Sequence, residues 1–84
     1  MHLTLNPDII VKDEGLGAIA FCINTEKIFK LNITGSKIIN LLKEKNLSQN
    51  DLLVSLNLIF NNLNEEEIKS YLSELISNNI IKAS

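Results

Sequence analysis

Few side chains in this 84-residue sequence could carry chemistry. The three glutamates at 65–67 could in principle hold a metal ion, but no histidine or cysteine stands near them to complete a ligand set. They are better explained as favourable charges in the first turn of a helix. We interpret Cys22, the one cysteine, as a small apolar filler, and we expect no ligand role for His2 at the terminus.

The remaining sequence contains no catalytic pattern. We find no paired acid and base, no spacing typical of metal ligands and no glycine-rich phosphate loop. We therefore predict that the protein is not an enzyme, with no catalytic residues, no metal and no cofactor. Any function then has to come from the shape of the fold and from the edges of its strands.

Composition limits the class of protein. The length suits one domain covering residues 1–84, and 45% hydrophobic residues are enough for a small core. A net charge of −2 argues against nucleic acid as a partner. A single cysteine fits a reducing compartment, no signal peptide is evident, and no apolar run could span a bilayer. We expect a cytoplasmic protein with no membrane contact.

The first half of the chain predicts three short strands. Residues 8–14, 18–24 and 27–31 are rich in apolar and β-branched types, and polar or glycine-containing turns separate them. Pro7 is expected to keep the segment before the first strand irregular. Tight turns between successive strands indicate an antiparallel meander.

Alternation in these strands assigns two faces. In the second strand Ile19, Phe21 and Ile23 share one face, opposite Ala18, Ala20 and Cys22. In the third, Phe29 and Leu31 share one face, opposite Ile28 and Lys30. We expect Phe29 and Leu31 to face the core. An apolar Ile28 on the other face is then either part of a groove or simply exposed.

The second half predicts three helices. They begin near Gly35, Ser48 and Asn64, with Asn32 or Thr34 available to cap the first of them. At the end of the third helix, either Asn78 or Asn79 is expected to adopt the left-handed conformation. Residues 80 and 81 should then pack back on the core. The predicted class is α+β, a three-stranded antiparallel sheet followed by three helices.

The junction of strand and helix resembles a known family. "FKLNITGSKIINLL" has the aromatic, Leu-Asn and Thr-Gly positions of the PqqD-like family, also called RiPP recognition elements, at Phe29, Leu31, Asn32, Thr34 and Gly35. The run from Tyr71 to Ile81 is similar to the third helix of that family and its exit. The family often has a glycine where this chain has "NN", and asparagine also tolerates positive φ.

The resemblance implies a winged helix-turn-helix fold used for peptides. In the family, the leader segment of a ribosomally made precursor peptide adds as a strand beside the third strand, against the third helix. The implied partners are that leader peptide and a RiPP-modifying enzyme such as a radical SAM maturase, a cyclase, a dehydratase or a protease. The domain would bind the leader and present it to the enzyme.

The site residues follow from this implied groove. Backbone groups on a strand edge can pair with a peptide, apolar residues can anchor it, and lysines can pair with acidic leader residues. The predicted peptide-binding residues are Lys27, Ile28, Phe29, Lys30, Leu31, Ile68, Tyr71, Leu72 and Leu75.

Two other functions stay open at this point. A winged-helix DNA-binding regulator would use the same fold, but its third helix opens with three glutamates that would face phosphates. A structural subunit of a larger enzyme would bind its partner without touching a peptide. Lysine on an edge strand also has an ordinary role, since it discourages aggregation.

Overall fold

The computed structural model describes residues 2–61 and 63–84 of the chain. The first half contributes four strands, and the second half contributes three helices and two further short strands. In chain order these are β1 (His2–Leu5), β2 (Ile9–Asp13), β3 (Ala18–Cys22), β4 (Ile28–Leu31), α1 (Ile33–Glu44), β5 (Leu47–Ser48), α2 (Gln49–Ile59), α3 (Glu65–Ser77) and β6 (Ile81–Ala83).

The predicted meander is confirmed. Strands β2, β3 and β4 form an antiparallel sheet in that order, with Ile10 opposite Phe21 and Phe21 opposite Ile28. The turn between β2 and β3 contains Gly15 at a φ of 84°, a conformation that glycine adopts without steric cost. The sheet followed by three helices gives the predicted α+β layout.

A second sheet was not predicted. Strand β1 lies at its centre, antiparallel to β5 on one side and to β6 on the other. The expectation that Pro7 would keep the first residues irregular is wrong, because β1 ends at Leu5 and Pro7 falls in the following turn. The Asn6 side-chain oxygen accepts a hydrogen bond from the Asp8 backbone N–H at 3.0 Å and shapes that turn.

The two ends of the chain are joined by this sheet. The N–H of His2 donates to the carbonyl oxygen of Ser84 at 2.7 Å, and the N–H of Ser84 donates back at 2.9 Å. His2 therefore belongs to a strand and is not a loose terminus. As predicted, Ile80 and Ile81 pack on the core, where each is 1% exposed.

The three helices begin at side-chain caps. The side-chain oxygen of Asn32 accepts from the Gly35 N–H at 2.9 Å, that of Ser48 from Asp51 and that of Asn64 from Glu66 and Glu67. Of the two predicted caps for α1, the structure uses Asn32. At the end of α3, Asn79 has a φ of 60°, as predicted for one of two asparagines, and the Ile80 N–H donates to the Leu75 carbonyl oxygen in a Schellman arrangement.

One core holds both sheets and all three helices together. The face of the β2–β3–β4 sheet that carries Ala18, Ala20 and Cys22 turns inward, and the small side chains let α1 approach closely. The opposite face, which we call the outer face, looks away from the core. The largest fully buried side chains are Leu3, Ile38, Ile39, Leu52, Leu56, Leu72, Ile80 and Ile81.

Candidate functional site

Strand β4 is an edge strand. Among the residues that the structure describes, it pairs with β3 on one flank and with no strand on the other. The Cys22 N–H donates to the Lys27 carbonyl oxygen at 2.9 Å, which fixes which residues of β4 bond to β3. In an antiparallel pair, residues that hydrogen-bond to the neighbouring strand alternate with residues whose backbone groups point away from it. Because Lys27 bonds to β3, the N–H and C=O of Ile28 and Lys30 point away from β3. We call this flank the open edge.

The corner after β4 is in contact with Tyr71 of α3. Leu31 is the last residue of β4 and α1 begins two residues later, with Asn32 as its cap. Gly35 in the first turn of α1 is buried beneath the phenol ring of Tyr71 from α3. A Cβ at position 35 would lie 3.0 Å from the ring carbon Cζ and still nearer to the hydroxyl oxygen. The glycine therefore lets the α3 side chain rest on the corner.

The structure separates the predicted strand residues by exposure. Lys27, Ile28 and Lys30 are exposed, and Ile28 keeps 66% of its surface in solvent. Phe29 is half-buried and Leu31 is buried on the core side, as their alternation predicts. The open edge therefore offers backbone groups together with one apolar and two basic side chains.

The predicted helix residues divide in the same way. Ile68, Leu72 and Leu75 are at most 5% exposed and belong to the core. They pack α3 against the rest of the protein. Contact of a peptide with any of the nine predicted residues stays a prediction. Tyr71 is half-buried at the rim and is the α3 member of the set that lies at the surface beside the corner.

Two acidic residues accompany Tyr71 on α3. Glu67 and Glu74 stand four residues before and three residues after it, which places them near it on the same side of the helix. Both are exposed. We call Glu67, Tyr71 and Glu74 the acidic flank of α3. Sequence reasoning attributed Glu67 to the helix dipole alone and passed over Glu74, although their spacing from Tyr71 could have revealed both.

The environment of Tyr71 is partly apolar. Burial raises the pKa of its phenol above the ordinary value, and the negative charge of Glu74 acts in the same direction. A hydrogen bond with the backbone of Asn32 opposes both effects on this pKa. The Tyr71 hydroxyl is thus close to the backbone of Asn32 at the corner and within range of the charge of Glu74.

The outer face of the β2–β3–β4 sheet is unusually apolar. Ile10, Phe21 and Ile28 form one row across the three strands, and Ile10 is 56% exposed. The next row has Lys12, Ile19 and Lys30. An antiparallel sheet with one face in water normally carries polar residues there. Sequence reasoning found the alternation but missed that Ile10 and Phe21 form a row with Ile28.

A shallow depression of about 290 Å³ lies at the end of the β2–β3–β4 sheet that contains the turn between β2 and β3. Gly17, Ala18, Ile19, Lys30 and Leu31 line it together with Glu14, and no residue of α3 takes part. It shares Lys30 and Leu31 with the predicted peptide-binding residues.

Within residues 2–61 and 63–84 no group of three or more histidine, cysteine or acidic side chains is arranged to hold a metal ion. In the same part of the chain no helix is long and apolar enough to cross a bilayer.

Comparison with known proteins gives one informative result. No protein-family model and no curated protein matches the chain. Among solved structures, it is similar to TbiB1, determined in complex with the TbiA(beta) leader peptide, with a TM-score of 0.80 over 96% of each chain. At 15% identity this likeness shows a shared fold.

Proposed function

We propose that this protein is a PqqD-like peptide-recognition domain that binds the leader segment of a ribosomally made precursor peptide as an added β-strand on the open edge. The observation that carries the proposal is the open edge itself, with the N–H and C=O groups of Ile28 and Lys30 directed away from β3. Strand addition to an exposed sheet edge is a recurrent mode of peptide recognition. The shared fold with a protein solved on a leader peptide supports the choice of ligand.

Backbone pairing alone does not give useful affinity. Four hydrogen bonds at the open edge would contribute about 0.5–1.5 kcal/mol each. Ordering a five-residue segment costs about 1–2 kcal/mol per residue, which is of similar or larger size. Apolar contacts must therefore supply the surplus, and burying a side chain such as Ile28 contributes roughly 1.5–3 kcal/mol.

The rest of the proposal concerns what happens after binding. The sequence predicts no catalytic residues, so the chemistry would belong to a partner such as a radical SAM maturase, a cyclase, a dehydratase or a protease. The protein would hold the leader in the cytoplasm while that enzyme modifies the core of the precursor. The glutamates that open α3 disfavour the alternative of DNA binding through that helix.

A proline at position 30 tests the open edge directly. Lys30→Pro removes one N–H from the open edge but leaves the pairing with β3 intact, and edge strands tolerate proline in this orientation. It leaves a peptide carbonyl unpaired, which costs roughly 1–3 kcal/mol. We expect the Kd for the leader peptide, measured by calorimetry, to rise about five- to a hundredfold.

Two controls isolate the effect of the lost N–H. Lys30→Ala removes the same side chain and keeps the N–H, so it should bind far better than Lys30→Pro. Asp13→Pro places the ring on the free flank of β2, the other edge of the sheet, and should leave affinity nearly unchanged. A folded Lys30→Pro protein that binds as tightly as Lys30→Ala would refute docking at the open edge.

A further inference from the structure

Large apolar side chains are exposed on the outer face of the β2–β3–β4 sheet. Ile10 and Ile28 keep 56% and 66% of their surface in solvent, and Phe21 lies between them in the same row. We call these three residues the apolar row. Ile23, just beyond the end of β3, is 52% exposed. A contiguous exposed apolar surface commonly marks a contact with another protein.

Charged residues flank the apolar row in the same order on β2 and β4. On each strand a lysine stands two positions after the isoleucine of the row, and Lys12 and Lys30 join Ile19 in one row across the sheet. We call Lys12, Ile19 and Lys30 the basic row. An acidic residue stands two positions before the same isoleucine, and these residues are Asp8 and Glu26. The order acid, isoleucine, lysine therefore occurs twice, along strands that run in the same direction.

Backbone hydrogen bonds place the acidic residues at one end of the face. The Ile23 N–H donates to the Asp8 carbonyl oxygen at 3.0 Å, so the ladder between β2 and β3 continues one step beyond both strands. Alternation puts Asp8 and Ile23 on the outer face. Glu26 lies in the turn that joins β3 to β4 at the same end, where its N–H donates to the Cys22 carbonyl oxygen at 2.8 Å. We call Asp8, Ile23 and Glu26 the acidic end.

A face with this order of rows is complementary to a second copy of itself. A twofold rotation about an axis along the apolar row puts each residue of that row opposite its own copy and exchanges the two ends of the face. The basic row of each copy then faces the acidic end of the other, with Ile19 opposite Ile23 between the charged pairs. We infer that two copies of this chain associate through the outer faces of their β2–β3–β4 sheets, with facing strands antiparallel.

The charges distinguish this arrangement from the other twofold packing of the same faces. An axis along the strands would also bury the apolar row, but it would place Lys12 opposite Lys30 and Asp8 opposite Glu26. Each of these contacts brings like charges together, which is unfavourable. An anionic membrane is disfavoured for a related reason, because the acidic end would lie against its negative surface. The antiparallel dimer therefore satisfies the charges of the outer face best.

The size of the face predicts a weak dimer. Three strands spaced about 4.8 Å apart and five residues of about 3.4 Å each cover roughly 14 by 17 Å. An interface of this size is below the range of permanent dimers, so we expect a Kd of about 0.1–1 mM. The outward backbone groups of β4 stay free in the dimer, because the packed surface is the face of the sheet and not its edge. The inference is therefore independent of the proposed function.

Sedimentation equilibrium of the protein alone, from about 20 µM to about 1 mM, tests the association. We expect the mean mass to rise from that of a monomer toward that of a dimer. Ile10→Lys puts a charge in the apolar row, opposite the same charge in the second copy, and should weaken association at least about tenfold. Leu58→Lys is the control on α2, where Leu58 is 85% exposed, and should leave association unchanged. Urea midpoints verify that both variants are folded.

Mixing two charge variants tests the orientation of the two copies. In Lys30→Glu and in Glu26→Lys, both contacts between positions 26 and 30 become repulsive, so each variant alone should associate roughly three- to thirtyfold more weakly at low salt. An equimolar mixture restores two attractive contacts and should associate about as well as the parent protein. Lys69→Glu, at an exposed position of α3, is the control and should behave as the parent does. At about 1 M salt the differences should largely disappear.

A protein that stays monomeric up to about 1 mM overturns the inference and leaves the outer face to a different partner. A folded Ile10→Lys that associates as tightly as Leu58→Lys overturns it too. If Ile10→Lys does not fold, the mixture decides, and a mixture that fails to recover association contradicts the antiparallel arrangement. Tighter association of Lys30→Glu alone also contradicts it, because the axis along the strands predicts that result. None of these outcomes bears on the Lys30→Pro test of peptide binding.

Discussion

Replacing Leu3 by alanine is expected to lower the free energy of unfolding by roughly 2–5 kcal/mol, the usual cost of truncating a buried leucine. Leu3 is 0% exposed and lies in the central strand of the β5–β1–β6 sheet, opposite Leu47 on one side and Ala83 on the other. A domain of this size has a total stability of only about 4–13 kcal/mol. The loss should appear as a lower urea midpoint in circular dichroism.

Leu58→Ala is the matched control. Leu58 is 85% exposed on α2, so the same chemical change there should alter stability by less than about 0.5 kcal/mol. Equal midpoints for the two variants would mean that the first strand is not part of the folded core.

Replacing Gly35 by alanine should also destabilise the protein, by about 1–3 kcal/mol. The added Cβ has no room beneath the Tyr71 ring, where the Cζ and Cε1 carbons are 3.0 and 3.1 Å from its position. Either Tyr71 leaves the corner or α1 shifts. In a Tyr71→Ala background the clash is absent, and the alanine should then stabilise α1 by up to about 1 kcal/mol.

The sole tyrosine provides a second measurement of the same variant. Burial and Glu74 raise the pKa of Tyr71, so its phenolate absorbance should appear above the usual pH in the native protein. A phenol with a raised pKa contributes stability that is present below the unfolded pKa and is lost as pH rises through the folded one. If Gly35→Ala displaces the ring, its titration should move back toward the ordinary range. A normal titration in the native protein would contradict the packing of Tyr71 on the corner.

Local sequence signals predicted much of this fold. The alternation around Ala18 and Phe29, the caps at Asn32, Ser48 and Asn64, and the exit at Asn79 all involve neighbours within a few residues. Each was confirmed. Strand alternation, helix caps and helix exits depend on the side-chain types and backbone preferences of a few neighbouring residues, so a short segment is enough to predict them.

The non-local features were beyond such signals. Strand β1 is four residues long, and its partner β6 lies at the other end of the chain, so only the folded core specifies that pairing. Likewise, the sequence could not reveal that Tyr71 of α3 rests on Gly35 in the first turn of α1. The structure places β4 at an edge of its sheet, as predicted, whereas peptide binding by the predicted site residues stays a prediction. Which of those residues are exposed depends on how the elements pack, which the sequence alone did not show.

Amide exchange measured by NMR, with and without the leader peptide of a precursor encoded beside this gene, tests the central claim most directly. The amides of Phe29 and Leu31 already bond to β3, so their protection should change little. Those of Ile28 and Lys30 should become protected when the peptide adds as a strand. Protection that appears instead on the free flank of β2, or binding that leaves Ile28 and Lys30 exchanging freely, would contradict the account.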